Sequence, residues 1–132
     1  MHKEKKIRVL LVRHPRDGHD RGFSVVATGL RDAGFEVILV VGLADEIAKV
    51  AIEENVNLIG YRLMAGEPEI LIPALFHKLK ENRCDIPVIV GGVMATQQLK
   101  ELGVVEVFGP GSSLDLITDF IRGCPEIFRE VS

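Results

Sequence analysis

The sequence predicts an α/β domain: a doubly wound, five-stranded parallel sheet with helices on both faces, in strand order 2-1-3-4-5. Three observations predict it. Five short apolar runs alternate with segments of helical periodicity. The apolar runs are near-continuous rather than alternating, as strands buried on both faces must be. Each run opens into a turn rich in glycine or charge, which suits right-handed strand–helix–strand crossovers.

The elements follow in order. Ile7 to Val12 is rich in β-branched residues and ends at the polar stretch Arg13 to Gly22. From Phe23 to Ala33 the spacing becomes helical, with Val26, Leu30 and Ala33 at i, i+4, i+7 and Gly34 as the stop. Glu36 to Val41 is the second strand. Asp45 to Asn55 is the second helix, with Ile47, Val50, Ala51 and Glu54 on one face. Asn57 to Tyr61 is the third strand. Glu67 to Asn82 is the third helix, with Pro68 in its first turn and Leu71, Ala74, Leu75 and Leu79 on its inner side. Pro87 to Val90 is a strand ending at Gly91-Gly92. A short helix around Gln97 to Leu102 and a brief strand at Val105 to Phe108 come next. The last helix runs from Leu114 to Cys124, with Ser112 as its cap and Asp115 three residues on. The arrangement is flavodoxin-like, and residues 1–132 read as one domain.

Composition narrows the function. The chain has 132 residues, 47% of them hydrophobic and 27% charged, an ordinary globular balance. At this size a fold buries roughly two thirds of its unfolded surface and needs no covalent staple. Net charge is −3 with Lys and Arg dispersed, and there is no Trp and one Tyr, so no nucleic-acid footprint or base-stacking platform is expected. The two cysteines, Cys84 and Cys124, have no metal-ligand spacing and read as reduced thiols, with Cys124 on the apolar face of the last helix. The charged start, Met1 to Lys6, is followed by only a short apolar run, so neither a signal peptide nor a membrane anchor is expected. A cytoplasmic location follows as the expectation.

In such a sheet, ligands bind beyond the carboxyl ends of the strands, beside strand one. That picks four loops: Arg13–Gly22, Arg62–Gly66, Gly91–Thr96 and Gly109–Ser113. The first is the longest and most polar. Within it, Asp17-Gly18-His19-Asp20-Arg21-Gly22 places a carboxylate two residues before a histidine, where both point the same way in extended chain. Asp17 can then accept from one imidazole nitrogen while the other faces a metal, an arrangement that fixes the tautomer and raises ligand basicity. A solvated histidine beside an aspartate, or Asp17 capping the first helix, is the bland reading. A zinc or iron site from His14, Asp17, His19 and Asp20 explains the spacing less economically. His77 sits mid-helix among Lys78 and Lys80 with no evident partner.

The Asp17-x-His19-x-x-Gly22 spacing resembles the DxHxxG motif of cobalamin-binding domains in adenosylcobalamin-dependent acyl-CoA mutases, the methylmalonyl-CoA mutase family and its free-standing small subunits. The resemblance extends through Ala27-Thr28-Gly29-Leu30, Asp32-Ala33-Gly34-Phe35, Gly91-Gly92-Val93-Met94 and Val107-Phe108-Gly109-Pro110-Gly111. It implies that His19 replaces the dimethylbenzimidazole base as the lower axial ligand of cobalt, with Asp17 as its partner. The whole motif, Asp17, Gly18, His19, Asp20, Arg21 and Gly22, would meet the cofactor, and Gly91, Gly92, Gly109 and Gly111 would line the channel for the displaced nucleotide tail.

The family's Ser-x-Leu element after strand three is Arg62-Leu63-Met64 here, so the arginine would fill that channel or meet the nucleotide phosphate. Arg13 stands for the usual lysine and Pro15 for a glycine. The resemblance implies the cobalamin-binding small subunit of a mutase, an isomerase inactive without a larger acyl-CoA-binding subunit. It also implies an exposed apolar patch for that subunit around Leu63 and Met64. The alternative is a degenerate relative acting as a regulatory or interaction module, which Arg62 favours. A methyl-transfer corrinoid carrier would need a helical cap, and only about six residues precede strand one. A receiver domain would need an aspartate where Tyr61 and Arg62 stand, and neither GxxxxGK[ST] nor GxGxxG is present.

Overall fold

The computed structural model describes residues 6–16, 20–63, 67–92, 96–109 and 111–127. They form a five-stranded sheet, all parallel, in the order β2-β1-β3-β4-β5 that the sequence predicts. The strands are β1 (Arg8–Arg13), β2 (Glu36–Val41), β3 (Leu58–Arg62), β4 (Val88–Gly91) and β5 (Glu106–Phe108). The helices are α1 (Asp20–Asp32), α2 (Ala44–Glu53), α3 (Pro68–Glu81), α4 (Thr96–Glu101) and α5 (Leu114–Arg122). Val9 to Val12, Leu58 to Tyr61 and Val88 to Val90 are buried without interruption, because helices cover both faces of the three central strands.

Alternate residues of each strand enter opposite cores. Leu10, Val12, Ile59, Tyr61, Val88 and Val90 pack against α2, α3 and α4. Val9, Leu58 and Ile89 pack against Leu30 of α1 and Ile121 of α5, and Leu11 meets Phe23 and Ala27 of α1. Gly34 ends α1 as expected. Its φ of +99° is the left-handed turn that lets the Phe35 N–H reach the Leu30 carbonyl at 3.1 Å.

Several expectations are corrected. α1 begins at Asp20, three residues earlier than its apolar spacing suggests, so Gly22 lies in its first turn. The inner face of α3 is Ile72, Leu75 and Leu79, with Leu71 half-buried and Ala74 exposed. The run from Ile70 to Leu75 is so apolar that its phase is ambiguous. Ser113, not Ser112, caps α5, accepting from the Leu116 N–H at 3.3 Å. Ser112 instead donates to the Gly109 carbonyl at 2.8 Å and closes the turn before the helix.

Cys124 lies just beyond the end of α5. It is buried, and its thiol donates to the Glu126 carboxylate at 3.1 Å. His77 has a partner after all: its Nε2 is 2.8 Å from a Glu81 oxygen. Among the described residues no helix is long and apolar enough to cross a membrane.

Candidate functional site

The register of the sheet builds the site. Across the carboxyl ends of the strands, Val41, Arg13, Arg62, Gly91 and Phe108 are successive register partners. One step lower on the same face run Leu39, Leu11, Gly60, Ile89 and Glu106. At Leu11, Ile89 and Phe108 these rows face α1 and α5. Gly60 and Gly91 remove side chains from adjacent strands on this face, so a hollow is left between the sheet and the two helices. Leucine or valine there would have closed it.

The hollow has a volume of about 280 Å³, at the small end of the range for ligand sites. Leu11, Leu30, Ile89, Phe108, Ile117 and Ile121 give it apolar walls. Phe108 is held in place by an edge-on contact with Phe120, ring centroids 5.7 Å apart. Glycines form the mouth. A Cβ built on Gly109 or Gly111 would meet nothing within 4 Å, and one on Gly91 would meet only the Phe108 carbonyl, at 4.0 Å. Gly111 has a φ of +79°, which disfavours any larger residue in this turn.

The structure brings together Gly22, Arg62, Gly91, Gly92, Gly109 and Gly111, six of the residues singled out in the sequence. Arg62 reaches from β3 to the first turn of α1, where a Cβ on Gly22 would lie 3.1 Å from both terminal guanidinium nitrogens. Arg21 is exposed and does not line the hollow. Asp20 is the first residue of α1.

Leu63 is a correction. It is 3% exposed in the core under α2 and α3, so it is no part of an exposed docking patch, and its side chain lies on the face opposite Arg62. Asp17, Gly18, His19 and Met64 lie outside the described residues. Gly60, Leu11, Phe108, Ile117 and Ile121 were not singled out. Only Gly60 carried a signal, a glycine inside a buried apolar strand, which often marks close approach of a ligand.

His14 is buried, and its Nδ1 accepts from the Arg16 N–H at 3.0 Å. Tyr61 sits in the opposite core, where burial pushes its hydroxyl up to about 12 and keeps it neutral. Among the described residues no group of three His, Cys, Asp or Glu side chains is placed to hold a metal.

An apolar, glycine-mouthed hollow at the carboxyl ends of β1, β3 and β4 fits the aromatic end of a nucleotide tail. A cation at its mouth fits a phosphate. Comparison with known proteins identifies the family. Residues 7–116 match the model of the B12 binding domain. The chain is 42% identical over 123 residues to the 2-hydroxyisobutanoyl-CoA mutase small subunit of Aquincola tertiaricarbonis, covering 88% of this chain and 90% of that one. It is 38% identical over 125 residues to methylmalonyl-CoA mutase of Escherichia coli (strain K12), covering 89% of this chain but 18% of that enzyme. The chain thus spans under a fifth of the length of that larger relative.

Among solved structures, a cobalamin-binding protein from Desulfitobacterium hafniense superposes with a TM-score of 0.73 at 21% identity, over 89% of this chain and 59% of that one. A response regulator from Desulfuromonas acetoxidans also gives 0.73, at 22% identity, over 93% and 99%. Those two likenesses show the shared fold alone. The family rests on the sequence matches: the chain belongs to the B12-binding domain family and is a cobalamin-binding domain of the mutase type.

Proposed function

We propose that this chain is the cobalamin-binding small subunit of an adenosylcobalamin-dependent acyl-CoA mutase, with His19 as the lower axial ligand of cobalt. The observation that carries the reading is the glycine-mouthed apolar hollow, bordered by the helix whose first turn holds the end of the Asp17-x-His19-x-x-Gly22 motif. Bound adenosylcobalamin would supply radical chemistry. The chain's own residues would bind and orient it: His19 would hold the cobalt, Asp17 would fix the imidazole tautomer and raise its basicity, and the hollow would take the displaced tail.

A larger acyl-CoA-binding subunit would complete the enzyme. The near full-length match to a mutase small subunit supports that partner. Two free cysteines support a reducing, cytoplasmic location. One observation favours the second reading, a regulatory module with little cobalamin affinity: the Arg62 guanidinium stands at the mouth of the hollow.

The test is an absorbance titration of the purified chain with hydroxocobalamin, repeated on His19→Ala. Retained cobalamin whose reduced Co(II) EPR spectrum carries histidine nitrogen hyperfine splitting, lost in the variant, supports the reading. Absence of retained cobalamin at tens of micromolar overturns it for the isolated chain. Recovery of binding in Arg62→Ser would then assign the loss to an obstructed channel.

A further inference from the structure

We propose that β2 is a dimerisation edge: two copies of the chain join antiparallel along it, about a two-fold axis at Leu39, into one continuous sheet. The inference does not depend on the cobalamin reading.

A strand at the edge of a sheet turns the N–H and C=O of every second residue outward, away from its one neighbour. On β2 that direction is fixed at both ends. The Glu36 N–H donates to the Ile7 carbonyl at 2.9 Å, and the Gly42 N–H donates to the Arg13 carbonyl at 3.3 Å. Even-numbered residues therefore face β1, and Val37, Leu39 and Val41 present their backbone groups outward. Among the described residues only the Val37 carbonyl has a partner on that side, the Arg31 guanidinium at 3.2 Å.

The side chains of this edge lack the features that keep edges apart. Val37 to Val41 holds no charge, proline or glycine. Val37 is packed beneath α1, but Leu39 and Val41, on the same face, are 45% and 44% exposed. The opposite edge of the sheet is guarded. β5 is three residues long, and its Val107 N–H is already taken by the Glu106 carboxylate at 3.0 Å.

The occupant that fits is a second β2. In antiparallel pairing, cross-strand partners share a face, and outward backbone groups must meet outward groups. Both conditions hold when Leu39 lies opposite its own copy, Val37 opposite Val41 and Ile38 opposite Val40. Every such pair is apolar, and most are β-branched, the composition that suits cross-strand contact. Glu36 falls opposite Gly42, so no like charges meet. Charge is complementary at the two ends. Arg31, at the Val37 end, comes to the Gly42 end of the second copy, where a Glu46 carboxylate oxygen lies 2.8 Å from the place a Gly42 Cβ would take. The pairing is closed, because it uses the β2 edge of both copies and leaves none for a third. It points the two hollows in opposite directions and leaves both mouths open.

The experiment is sedimentation velocity of the purified full chain across a concentration series, which shows a reversible monomer–dimer equilibrium. Leu39→Lys and Leu39→Glu each set like charges opposite one another at the axis and weaken the dimer by roughly tenfold or more. An equimolar mixture of the two variants regains it, since lysine then faces glutamate. Backbone amide exchange on the wild type reads the edge directly. The Leu39 and Val41 N–H groups are protected at high concentration and exchange freely on dilution, while those of Ile38 and Val40, bonded to β1, stay protected throughout. Thermal melts check that both variants fold, and the exchange measurement stands whatever they show.

A monomer at every concentration up to the millimolar range overturns the proposal. So does a dimer that neither variant weakens, or one in which the Leu39 and Val41 amides exchange alike at all concentrations. Dissociation in both variants without recovery in the mixture overturns the Leu39 axis, and growth into open oligomers overturns the closed pairing.

Discussion

Gly29 of α1 and Leu114 of α5 are packed so closely that a Cβ on Gly29 would stand 1.9 Å from one Leu114 methyl and 3.0 Å from the other. These two helices wall the ligand hollow, so their separation sets its width. In Gly29→Ala, the better helix propensity of alanine, about 1 kcal/mol, is set against overpacking of about 1–3 kcal/mol. The clash is severe enough that overpacking wins, and urea unfolding should show a net loss of about 1–2 kcal/mol. A Gly29→Ala, Leu114→Ala double variant should be more stable than the sum of the single changes predicts, because the second substitution removes the obstacle. Simple additivity would mean that Leu114 turns aside without cost.

Gly60 is the floor of the hollow, and its effect on binding should separate from its effect on folding. A Cβ there would approach Leu11 Cδ1 to 3.3 Å, tight but within reach of a small adjustment. Gly60→Val gains strand propensity and fills empty space, so its stability should fall by less than about 3 kcal/mol. Hydroxocobalamin affinity should fall at least tenfold, since the branched side chain occupies the volume the tail needs. Unchanged affinity in a folded variant would mean that the tail stops short of this floor.

What the sequence revealed and what it hid have the same physical origin. Sheet order was legible because each strand and helix declares itself locally and crossover handedness then leaves few topologies. The glycine mouth was legible through the family resemblance, whose Gly91-Gly92 and Gly109-x-Gly111 elements fall at or just beyond the ends of β4 and β5. Leu63 was misread through neglect of parity. One residue beyond Arg62, it turns to the opposite face and joins Tyr61 in the other core. Ser112 was misread because Ser112 and Asp115 have capping-box spacing, while Ser113 is the residue that meets the Leu116 N–H. The walls contributed by Ile117 and Ile121 of α5 are long-range contacts, and nothing local distinguishes them from ordinary core.

The lone tyrosine gives a spectroscopic handle on the core beneath Arg62. Burial raises the Tyr61 hydroxyl to about 12, whereas in the unfolded chain it ionises near 10. The folded state therefore holds its proton where the unfolded state has lost it. The contribution is complete below pH 10 and is lost as pH rises toward 12, by up to about 2–3 kcal/mol. Because the chain has one Tyr and no Trp, the 295 nm absorbance reports this group alone. No tyrosinate should appear before alkaline unfolding, and Tyr61→Phe should flatten the fall of stability between pH 10 and 12. A clean ionisation near pH 10 in the folded protein would contradict the burial.

At the opposite end of the pH scale, Glu106 on edge strand β5 anchors α4. The Lys100 amine donates to its carboxylate at 2.8 Å, and the Val107 N–H donates to the same oxygen at 3.0 Å. The lysine hydrogen bond, ahead of a smaller opposing effect of burial, holds the Glu106 carboxyl below the usual carboxylate range. A depressed folded value stabilises the protein above the unfolded glutamate pKa, near 4.3, and that stability disappears as pH falls through the folded value. Since both side chains are partly exposed, Lys100→Gln should cost only about 0.3–1 kcal/mol at pH 7 and low salt. The variant and wild type should converge in stability once Glu106 is protonated in the folded state, and also at pH 7 in molar salt. A difference that persists in molar salt would assign the effect of Lys100 to packing along α4 and not to its charge.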